Sequence, residues 1–171
     1  MIIAGIDPGL RRIGYALVRV GDTFPRILVA GSLTTLPIEG LETRWCKIWE
    51  QLDVLKGAEA LGIEDQRDVI VGATHRRETS ADSLRSLECV GLARAWALSR
   101  GLPVMIVLPK EAKLAVLGPK GSRGSKDQVR HATHAICKGQ FVVDEHAADA
   151  VAVALAAGKR FHWSTVSKPS A

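Results

Sequence analysis

Several features that mark other classes of protein are missing from this chain. Its three cysteines, Cys46, Cys89 and Cys137, are far apart, odd in number and without a Cys-x-x-Cys pair that could hold zinc. We therefore expect reduced thiols, as in a cytoplasmic protein. No stretch approaches the roughly 20 apolar residues that a membrane-spanning helix needs, and no basic segment leads into a long apolar run near the first residue. The sequence thus predicts a protein that is neither secreted nor membrane-spanning.

The charge balance is modestly basic. The 171 residues include 23 Lys and Arg against 18 Asp and Glu, which gives a formal net charge of +5 at pH 7. This excess favours a polyanionic partner such as nucleic acid, although charge alone does not select one. The length and the ordinary apolar and charged fractions predict one folded domain, over residues 1–163, with a flexible tail at 164–171.

The first 33 residues have the pattern of an antiparallel meander. Residues 2–6 form a short apolar run closed by Asp7-Pro8-Gly9, which is typical of a buried strand that ends in a tight turn. Residues 13–20 and 26–33 are rich in β-branched and apolar side chains and are separated by a turn with Gly and Pro. Asp7 is therefore predicted at the C-terminal end of the first strand.

In the remainder of the chain, predicted strands and helices alternate. Apolar spacing and turn residues predict helices at 41–56, 80–100 and 109–117, strands at 60–63 (closed by Glu64) and 104–108, and a polar loop at 65–79. A flexible basic loop at 118–124 is followed by a Ser-x-x-Gln capping box that opens a helix to about residue 137, and a last helix runs from about 144 to 158. The predicted fold is α/β, with a mixed five-stranded sheet of three antiparallel and then parallel strands, flanked by helices.

The helix predicted over 80–100 is more apolar than contact with one sheet face requires. Its polar stripe is narrow because of Leu84, Leu87, Cys89, Val90, Leu92, Ala95, Trp96 and Leu98. A second apolar face predicts contact with a partner subunit, through residues such as Leu87, Val90 or Trp96. Burial of the whole helix within its own chain is the alternative.

The last predicted helix is apolar nearly all round, so we expect it to be buried. Its first turns nevertheless contain Glu145, His146 and Asp149. Favourable interaction of acids with a helix N-terminus explains Glu145 well, but it explains Asp149 poorly. An ionised Asp149 in apolar surroundings needs a positive group beside it.

Three carboxylates, on Asp7, Glu64 and Asp149, are thus predicted at strand ends or at an adjoining helix start. In open α/β sheets, functional sites collect at the C-terminal ends of the strands. Each acid alone would also suit a cap or an ion pair, but their joint placement indicates a hard-cation site. Oxygen ligands suit Mg²⁺ or Mn²⁺, which bind a few carboxylates, several waters and substrate phosphate oxygens.

At these same residues the sequence resembles the RuvC family of Holliday junction resolvases, a branch of the ribonuclease-H-like superfamily. Gly5 to Tyr15 resembles the opening of the family, and Ile63-Glu64 resembles its second acidic motif. Residues 118–129 resemble its basic loop with a Lys-x-Gln-Val ending, and residues 146–150, His-Ala-Ala-Asp-Ala, resemble its final motif. The four motifs keep the family's order, and the likeness spans residues 2 to about 158.

The resemblance implies a homodimer that binds a four-way DNA junction and cuts two strands of like polarity, leaving 5′-phosphate and 3′-hydroxyl ends. It implies a site of two Mg²⁺ or Mn²⁺ ions, and a branch-migration helicase as a further partner. The implied metal ligands are Asp7, Glu64, Asp149 and His146, which stands where many relatives have Asp. Lys126 joins them as a catalytic residue, and the implied DNA contacts are Arg11, Arg12, Arg76, Arg77, Lys113, Lys120, Arg123 and Lys126.

The sequence departs from the family pattern after the second acid. Relatives commonly place an aromatic residue there to probe the junction centre, whereas this chain has no aromatic residue between Glu64 and Trp96. The loop instead contains His75, Arg76 and Arg77, which could contact phosphates or simply form a solvated basic turn.

Three other functions compete with junction cleavage. One is a related nuclease that acts on other branched DNA, flaps or RNA–DNA hybrids, because residues 11–14 also resemble the YqgF-like branch, proposed to act on RNA. Another is a junction-binding protein without catalysis, against which the intact acids argue. A nucleotide-binding module of the actin type repeats its domain, and 171 residues cannot hold two copies.

Overall fold

A mixed five-stranded sheet with the order β3-β2-β1-β4-β5 forms the centre of the computed structural model. The strands are β1 (Ile2–Asp7), β2 (Arg12–Arg19), β3 (Arg26–Thr34), β4 (Ala60–Glu64) and β5 (Val104–Val107). β1, β2 and β3 are antiparallel neighbours, whereas β4 runs parallel to β1 and β5 runs parallel to β4. The predicted arrangement of strands is therefore confirmed.

The structure describes residues 1–21, 24–66, 81–138 and 144–166, without the side chains of 81–84 and 162–166. The helices are α1 (Leu41–Leu52), α2 (Ala81–Leu98), α3 (Pro109–Leu117), α4 (Lys126–Ile136) and α5 (Glu145–Val166), with 3₁₀ turns at Asp53–Leu55 and Gly121–Arg123. Within these ranges, none of the helices combines the length and the apolar character needed to cross a membrane.

The basic loop is more regular than the sequence predicts. It contains the 3₁₀ turn at Gly121–Arg123, and the Lys113 amine on α3 donates a hydrogen bond to the Gly124 carbonyl at 2.9 Å. The capping box that follows is confirmed, because the Ser125 hydroxyl accepts a hydrogen bond from the Gln128 amide at 3.3 Å. The loop predicted as flexible thus contains one turn of regular structure and one hydrogen bond to α3.

The predicted end of the last helix was also wrong. α5 continues past Gly158 to Val166, so the first residues of the predicted tail at 164–171 are helical. Two hydrogen bonds support the extension, from the Lys159 amine to the Ala115 carbonyl at 3.0 Å and from the Arg160 guanidinium to the Ile106 carbonyl at 3.1 Å. These hydrogen bonds to residues distant in sequence stabilise the helix just after Gly158, where the local sequence predicts that it ends.

α5 is buried as predicted, and it is the central helix of the fold. Residues 150–157 are all at most 7% exposed. One side of the helix packs on β1, β2, β3 and β4, and another packs against α3 and α4. The backbone of the helix comes very close to the sheet, because a Cβ atom added at Gly5 would lie 2.1 Å from the Ala150 carbonyl oxygen. A Cβ added at Gly14 would lie 2.0 Å from the carbonyl oxygen of His146.

The opposite face of the sheet is covered by α1 and α2. Ile48 and Leu52 of α1 pack in one buried cluster with Cys89 and Trp96 of α2. Trp96 is fully buried, and its indole N–H donates a hydrogen bond to Asp53 at 3.0 Å. The prediction that Trp96 faces a partner subunit was therefore wrong, because α1 of its own chain covers it.

Other apolar residues of α2 keep an accessible surface. Leu98 is 69% exposed, and Leu87, Val90 and Leu92 are half-buried. The second apolar face inferred from the sequence is thus narrower than expected, and it lies beside the core residues of the same helix.

Two glycine substitutions test the close packing of α5 on the sheet. Gly14→Ala should destabilise the protein by about 1–3 kcal/mol, because the new methyl group overlaps the His146 carbonyl and the sheet must move away from α5. Gly91→Ala is the matched control. It lies on the exposed side of α2 with nothing within 4 Å of the added Cβ, so it should stabilise the protein by up to about 1 kcal/mol. Urea denaturation measures both changes, and equal stability of the two variants would contradict this packing.

Candidate active site

Asp7 and Glu64 meet at one edge of the sheet because each is the last residue of its strand. β1 and β4 are neighbouring parallel strands, so their C-terminal ends lie side by side. The Asp7 side chain is 13% exposed, and the Glu64 carboxyl shares a hydrogen bond with it. The Gln66 side chain also approaches Glu64, with its amide nitrogen 3.4 Å from Oε2. The two acids predicted from strand ends are therefore in contact.

The first two turns of α5 bring His146 and Asp149 to the same place. The His146 Nδ1 atom lies 2.8 Å from Oδ2 of Asp7, and this hydrogen bond raises the pKa of the imidazole. Asp149 is half-buried and close enough for its charge to act on Glu64. All four metal ligands predicted from the sequence are thus gathered at one site.

These acids repel one another in a poorly solvated place. Burial, with the charges of Asp7 and Asp149, raises the pKa of Glu64 to about 8. Burial and the Asp7 charge raise the pKa of Asp149 to about 6. Carboxyl groups with raised pKa values need added positive charge to ionise fully at neutral pH. This excess of buried negative charge, on oxygen donors, fits a hard divalent cation.

The protein side chains of this cluster do not supply a complete set of metal ligands. Among the described residues, no group of three or more His, Cys, Asp or Glu side chains is arranged so that it could hold a metal ion by itself. Mg²⁺ suits such a partial set, because it retains several waters and usually takes its remaining ligands from substrate phosphates. The arrangement therefore fits a cation that is shared between the protein and a bound phosphodiester.

Lys126 adds a cation beside the acids. It is the first residue of α4, and its amine forms an ion pair with Glu145 of α5. The hydrogen bond to Glu145 raises the pKa of Lys126, and the charge of the lysine lowers the pKa values of Glu64 and Asp149. The structure thus brings Lys126 to the acidic cluster, as the sequence predicts.

The other predicted DNA-binding residues fall into separate groups. Arg11 and Arg12 are exposed and line a cavity of about 310 Å³ together with Asp7 and His146. Arg12 lies 3.6 Å from Asp144 in an ion pair.

A second cavity, of about 600 Å³, is lined by Lys120 and Arg123, with His131 beside them. Lys113 points its amine at the Gly124 carbonyl, so in this structure it holds the basic loop. Arg76 and Arg77 lie outside the described residues, as does His75.

The match to known families decides the classification. Residues 3–157 match the family described as crossover junction endodeoxyribonuclease RuvC. The chain belongs to the RuvC family. Metal-dependent nuclease chemistry is characteristic of this family.

Individual members of the RuvC family are similar over most of their length. The crossover junction endodeoxyribonuclease RuvC of Anaeromyxobacter sp. (strain K) is 35% identical over 161 residues, which cover 91% of this chain and 79% of the relative. The protein of the same name from Chelativorans sp. (strain BNC1) is 29% identical over 153 residues, or 90% of this chain and 85% of the relative.

Comparison with solved structures agrees with membership of the RuvC family. Thermus thermophilus RuvC matches with a TM-score of 0.79 and 26% identity, covering 96% of this chain and 98% of that chain. Its structure in complex with Holliday junction substrate matches with a TM-score of 0.79 and 25% identity, over 96% and 97% of the two chains. The fowlpox virus resolvase, at 10% identity and a TM-score of 0.58 over 92% and 99%, shares the fold. The ribonuclease-H-like fold expected from the sequence is confirmed.

Sequence reasoning missed several residues that support this RuvC-family site. Asp144 caps α5, since Oδ1 accepts a hydrogen bond from the Ala147 amide at 2.9 Å and Oδ2 accepts one from the Ser32 hydroxyl at 2.5 Å. An Asp three residues before a helical amide is a recognisable capping signal. Arg44 is buried beside Thr35, and its place between Leu41 and Ile48 on the apolar stripe of α1 was the available clue.

The raised pKa of Glu64 gives a testable pH dependence. The folded state holds a proton on Glu64 between its ordinary value of 4.5 and about 8, so folding stability decreases as the pH rises through this window. Glu64→Gln should flatten this decrease in metal-free protein. Glu50→Gln, on the exposed side of α1, should leave it unchanged.

Mg²⁺ should raise the melting temperature of the wild type more at pH 8 than at pH 5.5, because it replaces a proton at the acidic cluster. Thermal unfolding of the three proteins with and without Mg²⁺ measures both effects. A wild type with the same pH slope and the same Mg²⁺ response as Glu64→Gln would contradict the burial of Glu64 beside the other acids.

Proposed function

We propose that this protein is a structure-selective DNA endonuclease that resolves four-way junctions by metal-dependent phosphodiester hydrolysis, leaving 5′-phosphate and 3′-hydroxyl ends. The observation that carries the proposal is the cluster of Asp7, Glu64 and Asp149, whose buried charges are only partly compensated, within a RuvC-family fold. Similarity to Thermus thermophilus RuvC in its complex with Holliday junction substrate supports four-way DNA as the ligand.

The three acids and His146 would hold two Mg²⁺ or Mn²⁺ ions. When bound, such ions activate a water molecule and stabilise the leaving 3′-oxygen during an in-line displacement. The protein itself holds the reacting groups in position. His146 donates its Nδ1 proton to Asp7 and so orients that carboxylate, and α5 fixes Asp149 beside Glu64. Fixed placement of this kind removes much of the entropic cost of the reaction.

Lys126 would stabilise the negative charge of the phosphoryl group. In the structure its amine is paired with Glu145 and remains largely exposed, so a substrate phosphate can compete for it. The free amides at the start of α4, immediately beside Lys126, also favour an anion. Lys126 is therefore the basic residue best placed to act at the scissile phosphate.

The remaining basic residues would position the duplex arms. Arg11 and Arg12 flank the cavity at Asp7, and Lys120 with Arg123 borders the larger cavity beside α4. Contacts of this type bind phosphates and set the register of the DNA without reading bases. Arg76 and Arg77 are proposed to extend the same contact, and Lys113 would assist by holding the basic loop.

We propose a homodimer as the active assembly, since symmetric cleavage of two strands needs two sites. The exposed Leu98 and the half-buried Leu87 and Val90 of α2 are the apolar surface that a second copy would cover. A branch-migration helicase would be the functional partner. The three free thiols support location in the reducing cytoplasm, near the nucleoid or in the cytoplasm of a phage host.

The metal-ligand assignment predicts a separation of binding from cleavage. Asp7→Asn, Glu64→Gln and Asp149→Asn should each slow junction cleavage by a factor of about 10³ or more, because each removes several kcal/mol of charge stabilisation. Junction affinity should change little, since phosphate contacts supply most of it. Glu50→Gln is the control and should cleave normally. Gel-shift assays on a synthetic four-way junction measure the affinity, and cleavage assays on the same junction measure the rate. Full activity of any of the three amide variants would contradict the assignment.

A separate prediction concerns His146. If it is a metal ligand, His146→Ala should require more Mg²⁺ for half-maximal cleavage, whereas His146→Asp should stay active because it supplies a hard oxygen ligand. Titration of cleavage with Mg²⁺ in the wild type and both variants measures this. The same Mg²⁺ dependence in all three proteins would remove His146 from the metal site.

A further inference from the structure

Arg44 in the first turn of α1 is buried, with 3% of its surface exposed, although arginine usually keeps its charged group in water. Its Nε donates a hydrogen bond to the Thr35 hydroxyl oxygen at 2.8 Å, and its Nη2 donates one to the Leu10 carbonyl at 3.0 Å. The Thr35 hydroxyl in turn donates its proton to the same Leu10 carbonyl at 2.5 Å. Arg44, Thr35 and the Leu10 carbonyl therefore form a closed triangle of hydrogen bonds.

This triangle holds the segment that follows Asp7. We call residues 8–11 the Asp7 loop, and Arg44 with Thr35 the loop clamp. Besides its contacts to Leu10, the clamp holds the next carbonyl, because the Thr35 amide donates a hydrogen bond to the Arg11 oxygen at 2.9 Å. Two successive carbonyls of the Asp7 loop are thus fixed from Thr35, which directly follows β3, and from α1, both distant from the loop in sequence.

Stability alone does not explain why a charged side chain is buried at this position. The charge of Arg44 helps to lower the pKa of Glu39, but within the described residues no carboxylate forms an ion pair with Arg44, and its side-chain hydrogen bonds go to neutral oxygens. An apolar side chain of similar volume commonly stabilises such a buried position at least as well. The guanidinium instead fixes the relative positions of its two acceptors, because its planar group presents several donors at fixed angles.

The Asp7 loop borders the candidate active site. It lines the cavity of about 310 Å³ together with Asp7 and His146, and it carries the exposed Arg11. The loop is also tightly turned, since a Cβ atom added at Gly9 would lie 2.5 Å from the Arg12 carbonyl oxygen. A displacement of the Leu10 carbonyl would therefore move Arg11, the next residue of the loop, and Asp7, which precedes the loop.

We propose that Arg44 is a positioning residue for the nuclease reaction. With Thr35 it fixes the Asp7 loop, so that the Asp7 carboxylate and the guanidinium groups of Arg11 and Arg12 keep one geometry relative to a bound phosphodiester. Because Arg44 is buried, it would itself contact neither metal nor DNA. This inference rests on the proposed nuclease function and extends it to a residue behind the site.

Three variants dissect the clamp. Arg44→Met removes both hydrogen bonds at similar volume, Arg44→Lys keeps the charge but has one nitrogen for two acceptors, and Thr35→Val removes the hydroxyl. Arg100→Met is the matched control. Arg100 also pairs with another residue through its guanidinium, with Asp53 at 2.5 Å, and lies 4.5 Å over the ring of Trp96. Because Asp53 follows the C-terminal end of α1, this control lies at the other end of the helix from Arg44.

The first measurement is amide hydrogen exchange of residues 9–12 in metal-free protein, which reports on the loop independently of any reaction. Arg44→Met should speed exchange there, Arg44→Lys and Thr35→Val should do so less, and Arg100→Met should leave it unchanged. The second measurement is single-turnover cleavage of a four-way junction with saturating protein and Mg²⁺, below the melting temperature of every variant. Arg44→Met should slow cleavage between about tenfold and 100-fold, with junction affinity nearly unchanged, since misplacement of the reacting groups is costly.

The double variant Arg44→Met/Thr35→Val should be no slower than Arg44→Met alone, because both residues act on the same carbonyl. If Arg44→Met fails to fold, Arg44→Lys and Thr35→Val provide the same comparison. Loop exchange and cleavage equal to those of Arg100→Met would overturn the inference and leave Arg44 a purely structural residue. A wild type that does not cleave the junction would instead contradict the proposed function, and the exchange data would still decide whether Arg44 holds the loop.

Discussion

The close approach of α5 to the sheet is the contact on which the rest of the molecule depends. Glycines in two strands leave room for the backbone of the helix, since a Cβ at Gly5 or Gly14 would overlap carbonyl oxygens of Ala150 or His146. Small alanine side chains on the helix complete this packing. Because the first turns of α5 are held so near the ends of the strands, His146 and Asp149 reach Asp7 and Glu64.

The same packing creates the electrostatic problem that defines the site. Acids brought together in a poorly solvated place repel one another, and burial with the neighbouring charges raises the pKa of Glu64 to about 8. The fold thus gives up stability at this edge unless a cation is added. Lys126 supplies part of the compensation, and divalent ions with a phosphodiester would supply the remainder. In this account, the repulsion between the acids that destabilises the metal-free protein is also what makes the site bind divalent ions and a phosphodiester.

Much of the architecture follows from local sequence signals. α3 occupies Pro109–Leu117, the range predicted from its pattern, and the capping box at Ser125 and Gln128 opens α4 as expected. The acids were predictable because a short apolar run before Asp7 or Glu64 indicates a strand end. These signals involve residues close together in the sequence, so they can be recognised without knowledge of the tertiary structure.

Features that depend on partners distant in the chain were not predictable in the same way. The apolar spacing of α2 shows that Trp96 is buried, but it does not show whether α1 or a second subunit covers it. Gly158 has the character of a helix end, yet it lies within α5 where a Cβ would come 3.0 Å from Val20. Arg44 is the strongest case, because the acceptors that allow its burial are on Leu10 and Thr35.

The most direct test of the account compares substrates for the wild-type protein. A four-way junction, a linear duplex of the same sequence, a flap and an RNA–DNA hybrid, each labelled at one strand end, are incubated with the protein with and without Mg²⁺. The account predicts that Mg²⁺ is required and that the junction is cut faster than the other three. The cuts should lie at symmetric positions on two strands of like polarity, with 5′-phosphate ends. Cleavage without a divalent cation, or a preference for the hybrid or the flap over the junction, would contradict it.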